Sequence, residues 1–477
     1  MLCLVPVMMI FFLVRSEAVD PDIWWHLRNA QHLLQTRHFI RSDLYSFTVP
    51  GHPWISHEWF AEIPYYLAWR AGDLAGIRIL EIVLLVAIFL GLLYLCHQSS
   101  GNIKGSVLAV CVSVYLATVS FGPRTILFGY LYMVILLILL QRFRSKGRAA
   151  LWAIPPLFCL WINTHGSWSL GVIIFAISVA VGLFRGSWGR IHAESWTPEQ
   201  FRALLVTGVA SAAALFVNPF GARLVFYPLD LAFRQKLNVS YIAEWVSLDF
   251  QGARGKLVMA LLLFLLLSAL LRNCRWLLAD LALLSFGLYC GLAYSRFLFL
   301  LAILAAPVVA RLLDFVPRYD PRKDRRALNA AVMLLLIFSM VRYRPRTAEI
   351  QQAIARIFPA GAIPYLKAHP PSAPMLNEFL WGGYLEWYDQ DLKIFIDSRV
   401  DIFEYAGVFR DYLDVLDLQN PRAVLEKYKI GAALLPPGLP LTYVLEQDPA
   451  WRVVYRDPAC VLLEKMETTS GATSGGI

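Results

Sequence analysis

The chain has 477 residues, 58% hydrophobic and only 16% charged, with a mean hydropathy of +0.55. That balance excludes a soluble globular protein and describes a polytopic membrane protein. The net charge of +9 does not point to a nucleic-acid partner, because the Lys and Arg residues stand in short clusters between apolar runs, where the positive-inside rule puts them.

A helix needs about 20 apolar residues to cross a bilayer core. Runs of that kind predict about eleven spans, near residues 2–15, 74–96, 104–121, 125–141, 149–163, 168–185, 203–217, 257–271, 276–293, 295–315 and 327–342. The first is slightly short, but it lacks the basic start and small-residue cleavage site of a signal peptide. With the N-terminus cytoplasmic, the basic connections at 142–148 (RFRSKGR), 185–202, 272–275 (RNCR) and 318–326 (RYDPRKDRR) all fall inside. The loop 16–73, the turn 122–124, residues 163–168, the loop 218–256, the corner 294–296 and everything after Val341 then face outward. Residues 1–342 form the membrane domain on this reading. Residues 343–467 read as a small extracytoplasmic α/β domain, with a helical stretch at 347–368 and strands at 392–397, 432–436, 451–455 and 460–464; residues 468–477 read as a disordered tail. Seven scattered cysteines without a CxxC pair indicate neither a disulfide framework nor a zinc site.

The first outer loop is unusually rich in polar and aromatic residues. Trp24, Trp25, Leu27, Ala30, Leu33 and Leu34 recur at helical spacing beside His26, Arg28, Asn29, Gln31 and His32, the pattern of an amphipathic helix lying in the interface. A second such stretch, 59–69, has the aromatic density of a headgroup-level belt. Between them SDLYSFTVPGHPW is turn-rich, so the loop reads as two surface helices holding a pocket at the membrane face. Its acids stand at both ends: Asp20 and Asp22, then Glu58 after His57. A carboxylate there can act as general base on an incoming hydroxyl or amine, or share a divalent cation with its neighbours. The plainer role for Asp20 and Asp22 is to cap the helix that follows.

Arg124 in FGPRTILFG and Arg296 in AYSRFLFL begin spans at the outer face. Each is placed to bind a lipid phosphate, or simply to snorkel to the interface. Asn163 and His165 in WINTHGSW join two spans at that face, as sugar contacts or as helix-end caps. NPFGARLVFYP reads as a helix stop followed by an interfacial segment. In the C-terminal domain NEFLWGGYLEWY and FIDSRVDIFE stand out; Asp397 and Arg399 read foremost as an internal ion pair. No Walker A, GxGxxG, HExxH, GxSxG or EF-hand pattern is present, which leaves nucleotide, zincin and hydrolase chemistry without support.

The order of first helix, acidic outer loop, many spans and an outer C-terminal domain resembles the GT-C superfamily of polyprenyl-phosphate-sugar-dependent glycosyltransferases. DPDIWWHLR, SDLYSFT and HPWISHEWF are similar to the first loop of bacterial relatives of protein O-mannosyltransferases and lipid A aminoarabinose transferases. The resemblance implies a bacterial inner-membrane glycosyltransferase taking a sugar from a polyprenyl-phosphate donor to a glycan, lipid or protein acceptor on the extracytoplasmic face. Under it Asp22 or Asp20 is the general base, His57 and Glu58 hold the acceptor or a metal, and Arg296 or Arg124 binds the donor phosphate. A transporter or lipid flippase, and a non-catalytic envelope assembly protein, are the alternatives. The first requires working acids within the spans, where only Glu81 and Asp280 stand.

Overall fold

The computed structural model describes residues 2–16, 20–146, 150–241 and 245–466. The expected tail at 468–477 lies outside the described residues. The chain divides into two compact units, Met1–Asp20 with His57–Thr347 and Pro21–Ser56 with Ala348–Ile477. The sequence reading counted the whole first loop with the membrane part, whereas residues 21–56 pack with the C-terminal residues.

Helix α1 (Leu4–Ser16) belongs to the first unit and α2 (Asp22–Thr36) to the second. The first unit resumes with α3 (Trp59–Ser100), α4 (Ile103–Ala117), α5 (Ile126–Lys146), α6 (Ile154–Ile162), α7 (Trp168–Val181), α8 (Pro198–Ala214) and α9 (Ala222–Arg234). It continues through α10 (Lys236–Tyr241), α11 (Ala253–Leu271), α12 (Leu278–Ala293), α13 (Leu298–Leu312) and α14 (Arg326–Arg342). Every predicted span falls on one of these helices. Among the described residues five helices are long and apolar enough to cross a membrane, or six if the bent pair Arg326–Arg342 and Thr347–Ile354 is one span. Of the others, α1, α6, α7 and α12 are apolar but shorter, α6 being confined between the Pro155-Pro156 start and the turn at 163–166.

Helix α13 forms the core of this unit. Leu298 through Ala306 are all buried, as expected of a helix that is apolar on every face, and α13 packs against α3, α4 and α12. The Phe299 ring stacks on Phe89 at 5.5 Å and meets Tyr130 at 4.0 Å. By contrast α14 buries none of its residues, and α11 leaves Leu263, Leu266, Leu267 and Leu270 exposed, a surface suited to lipid. Within α3 the backbone breaks at Gly72 and Asp73, separating the aromatic stretch from the membrane stretch as the sequence suggests. The fold-back needs a glycine four residues on: a Cβ at Gly76 would lie 2.0 Å from the Ala68 carbonyl oxygen. A small sheet, β1 (Gly186–Trp188), β2 (Ile191–Ala193) and β3 (Trp276–Leu277), ties two of the basic connections together, in keeping with their shared side.

The second unit adds α15 (Thr347–Ile354), α16 (Ala362–Ala368), β4 (Met375–Asn377), α17 (Gly382–Tyr388), α18 (Val400–Tyr405) and α19 (Val408–Leu416). It closes with α20 (Pro421–Lys427), β5 (Ala432–Leu435), α21 (Pro440–Gln447), β6 (Trp451–Arg456) and β7 (Val461–Lys465). The sheet order is β4-β5-β7-β6, with β4 and β5 parallel and the other pairs antiparallel. Residues 392–397 are not a strand: Ile394 makes one isolated bridge with Ser46, and its carbonyl accepts from the Phe47 N–H at 3.0 Å. Helix α2 likewise departs from expectation, because its apolar face is covered by protein. Ile23, Trp24, Leu27 and Ala30 are fully buried, α2 packs on α17, and the Trp24 ring stands edge-on to Tyr384 at 5.1 Å and Phe358 at 5.9 Å.

Candidate functional site

Two polar clusters gather where helices of the first unit end. In one, Asp20 follows α1 and pairs through Oδ2 with Arg124 Nε, both side chains being mostly buried. The chain between α4 and α5 makes this possible. Gly122 adopts φ +132°, and its N–H donates to Glu81 Oε1 at 2.8 Å. Glu81 in turn takes Arg78 Nη1 at 2.8 Å, and Arg78 also donates to the Val14 carbonyl at 3.2 Å. A buried carboxylate with a guanidinium and an amide as partners is a strut, and this one fixes the turn that presents Arg124.

The second cluster centres on Glu58, at the start of α3. His165 Nε2 lies 3.2 Å and His57 Nε2 3.4 Å from the same Glu58 Oε1. The Ser167 N–H donates to His165 Nδ1 at 2.9 Å, so in the neutral imidazole the proton is on Nε2 and is given to Glu58. The His57 ring lies against Tyr227 of α9, with centroids 4.7 Å apart. Asn163 holds the surroundings in place: its Oδ1 accepts from Trp59 Nε1 at 3.0 Å, and its Nδ2 donates to the carbonyls of Cys159 and Val217. The amide of Asn163 thus serves the protein itself. Tyr65 links the clusters. Its hydroxyl donates to the Arg124 carbonyl at 2.9 Å, and Glu81, Asp20 and Glu58 all lie near enough for their charges to act on it. Arg296 stands at the corner before α13 with its guanidinium 4.2 Å over the Trp245 ring, a cation–π contact.

The remaining candidate, Asp22, lies in the second unit. Its Oδ1 accepts from Trp25 Nε1 at 3.4 Å, an indole that also donates to Ser398 Oγ at 3.1 Å. This unit has its own buried charge cluster. Asp397 takes Arg399 Nε on both oxygens at 2.9 Å, and Arg399 Nη2 reaches Asp43 Oδ1 at 2.9 Å. Asp43 Oδ2 accepts from the Ser46 N–H and hydroxyl, each at 2.9 Å, while Tyr45 and Trp54 lie against the guanidinium at 5.0 and 4.8 Å. The Asp397–Arg399 ion pair is therefore internal, as the sequence reading favoured. Glu386 lies 3.8 Å from Arg399 Nη2, and burial, then the Asp397 charge, pushes its carboxyl well above the usual range. Burial also raises Glu378, although the Tyr412 hydroxyl donates to it at 2.8 Å.

Sequence reasoning missed Tyr65 and Arg78. Tyr65 carries no signal that separates it from an aromatic belt, and Arg78 reads as a stray charge near a span end until Glu81, three residues on, is recognised as its partner. Among the described residues no group of three or more His, Cys, Asp or Glu side chains is arranged to hold a metal ion.

No family model matches the chain, and no curated protein matches it. Solved structures do. An oligosaccharyltransferase from Archaeoglobus fulgidus, tethered to an acceptor peptide containing the NVT sequon, aligns with TM-score 0.55 and 14% identity over 91% of this chain and 68% of its own. ArnT from Cupriavidus metallidurans, bound to undecaprenyl phosphate, aligns with TM-score 0.48 and 11% identity over 98% of both chains. The second likeness is looser, and the fold comparison rests on the first: the chain shares that structure's architecture, an apolar helical bundle with a small sheet-bearing C-terminal part.

Proposed function

We propose that the protein is an inverting glycosyltransferase of the bacterial inner membrane. It moves a sugar from a polyprenyl-phosphate donor to an acceptor on the extracytoplasmic face, with the N-terminus cytoplasmic. The observation that carries this reading is the pairing of Asp20 with Arg124 beside the Glu58–His165 cluster at helix ends of an apolar bundle. It favours Asp20 over Asp22 as the base, since Asp22 is engaged with Trp25 in the other unit. Asp20 would take the proton of the acceptor hydroxyl or amine as that atom attacks the anomeric carbon. The bond from that carbon to the phosphate oxygen breaks, and polyprenyl phosphate leaves with its electron pair. Arg124 would hold Asp20 in position and, with Arg296, offset the charge on the leaving phosphate. Glu58, carrying His57 and His165, would accept a hydrogen bond from the sugar acceptor, while Asn163 fixes the wall behind it. The rival transport reading loses its working acids, because Glu81 is paired with Arg78 and Asp280 with Arg311.

The test follows release of polyprenyl phosphate from a pool of polyprenyl-phosphate sugars by purified protein in proteoliposomes. A general base contributes about 100- to 10,000-fold, so Asp20→Asn should lower release by roughly 100-fold or more, with Asp22→Asn close to wild type. Equal rates for wild type and Asp20→Asn would sink the assignment.

A further inference from the structure

A cavity of about 450 Å³ opens in the first unit among the ends of α1, α4, α11 and α13, and its lining includes no residue of the Asp20 or Glu58 cluster. Its walls include Leu13, Val119, Leu248 and Leu298, and its polar groups include Thr118, Ser247 and Arg254. We propose that this cavity binds the phosphate of a membrane-borne lipid, with Arg254 as the cation that holds it.

Three features carry the assignment. The Arg254 Nε donates to Thr118 Oγ1 at 3.0 Å, which fixes the guanidinium through a neutral acceptor, and among the described residues no carboxylate forms an ion pair with it. A guanidinium has five N–H donors, so most of its capacity stays available for a planar or tetrahedral oxyanion. Next, Arg254 is the second residue of α11, whose N-cap is Gly252 and has no side chain to satisfy the first-turn amides. Those amides and the helix dipole add to the attraction for an anion beside the arginine. Finally, the cavity stands at the end of an apolar helix that exposes Leu263, Leu266 and Leu267 along its length, a path on which an alkyl or isoprenoid chain can lie. The wall is held rigidly, since the Ser295 N–H donates to the Val246 carbonyl at 2.9 Å and the Leu248 N–H to the Leu292 carbonyl at 3.2 Å.

One residue opposes the ligand. Asp249 lines the same cavity, with Oδ1 accepting from the Gln251 N–H at 2.8 Å, and its charge repels a phosphate. Removing that charge should therefore strengthen binding, an effect opposite in sign to removal of Arg254.

The inference uses the transferase reading only to choose one of its two probes. Full-length protein in phosphatidylcholine nanodiscs would be titrated with polyprenyl phosphate and, separately, with phosphatidylglycerol, and retained lipid measured by native mass spectrometry. Arg254→Gln should weaken retention roughly tenfold or more, Ser247→Trp should weaken it by filling the cavity, and Asp249→Asn should strengthen it. Loss confined to polyprenyl phosphate identifies the carrier as the ligand, and loss of both lipids identifies a general lipid-phosphate site. Unchanged retention of both lipids in Arg254→Gln and Ser247→Trp, with melting behaviour like wild type, overturns the proposal. A wild type that binds lipid through Arg254 yet turns over no donor would end the transferase reading and leave this site standing.

Discussion

At the scale of single residues, the second unit holds more buried charge than its interior neutralises. Arg399 faces Asp43, Asp397 and Glu386, all buried, and the two aspartates take its hydrogen bonds. Burial works against the Arg399 charge, yet the surrounding carboxylates hold it well above its ordinary range. Burial, then the Asp397 charge, pushes the Glu386 carboxyl well above the usual carboxylate range. A carboxyl whose folded pKa is raised binds a proton on folding, so its stabilising effect is complete below the unfolded value and is lost as pH rises towards the folded one. Thermal unfolding in detergent, followed between pH 5 and 8, should show stability falling with pH in wild type, at most about 1.4 kcal/mol per pH unit for each such group. Glu386→Gln should reduce that slope, with the remainder owed to Glu378, which shifts in the same direction. An unchanged slope would mean that Glu386 is ionised in the folded protein. The sequence showed Asp397 and Arg399 as a pair because they stand two residues apart. Asp43, 354 residues before Asp397 in the chain, offered no such sign.

At the scale of elements, close approach of backbones decides where α2 and α17 can lie. A Cβ on Gly382 would sit 2.2 Å from the Ile396 carbonyl oxygen and 2.5 Å from Asp397 Cβ, while one on Gly383 would meet the Trp25 nitrogen at 3.2 Å. The neighbour of Gly382 is backbone and cannot turn aside, whereas that of Gly383 needs to give by only a few tenths of an ångström. Gly382→Ala should therefore cost about 1–3 kcal/mol, the usual range for forced overpacking, and Gly383→Ala less, measured as the unfolding midpoint of purified protein. The reverse order would show that α17 shifts more readily than the Ile396–Asp397 segment it touches. The amphipathic pattern of α2 was legible, but its partner was not. An apolar stripe of Trp24, Leu27 and Ala30 suits lipid headgroups as well as another helix, and periodicity carries no information about which of them covers it.

For the molecule as a whole, topology is the property that composition constrains most. If the basic connections lie inside, cysteines placed at Arg142 and Arg322 should react with an impermeant maleimide only after the membrane is opened, and one at Ser372 in intact spheroplasts. Labelling of all three from the same side would remove the orientation on which the extracytoplasmic assignment rests. By itself, the sequence determined the membrane bundle, the positions of its helices and the identity of its basic connections, because the cost of placing charge and unpaired backbone in hydrocarbon is paid locally along the chain. Also legible was a set of polar residues between apolar runs that includes Asp20, His57, Glu58, Arg124 and His165. Only the tertiary structure decided that Asp20 meets Arg124, that Glu58 meets His165, and that residues 21–56 pack with residues from 348 onward. Those contacts join segments about a hundred to more than three hundred residues apart, and their selection depends on ring packing, glycine clearance and the sharing of buried charge, none of which is encoded in spacing.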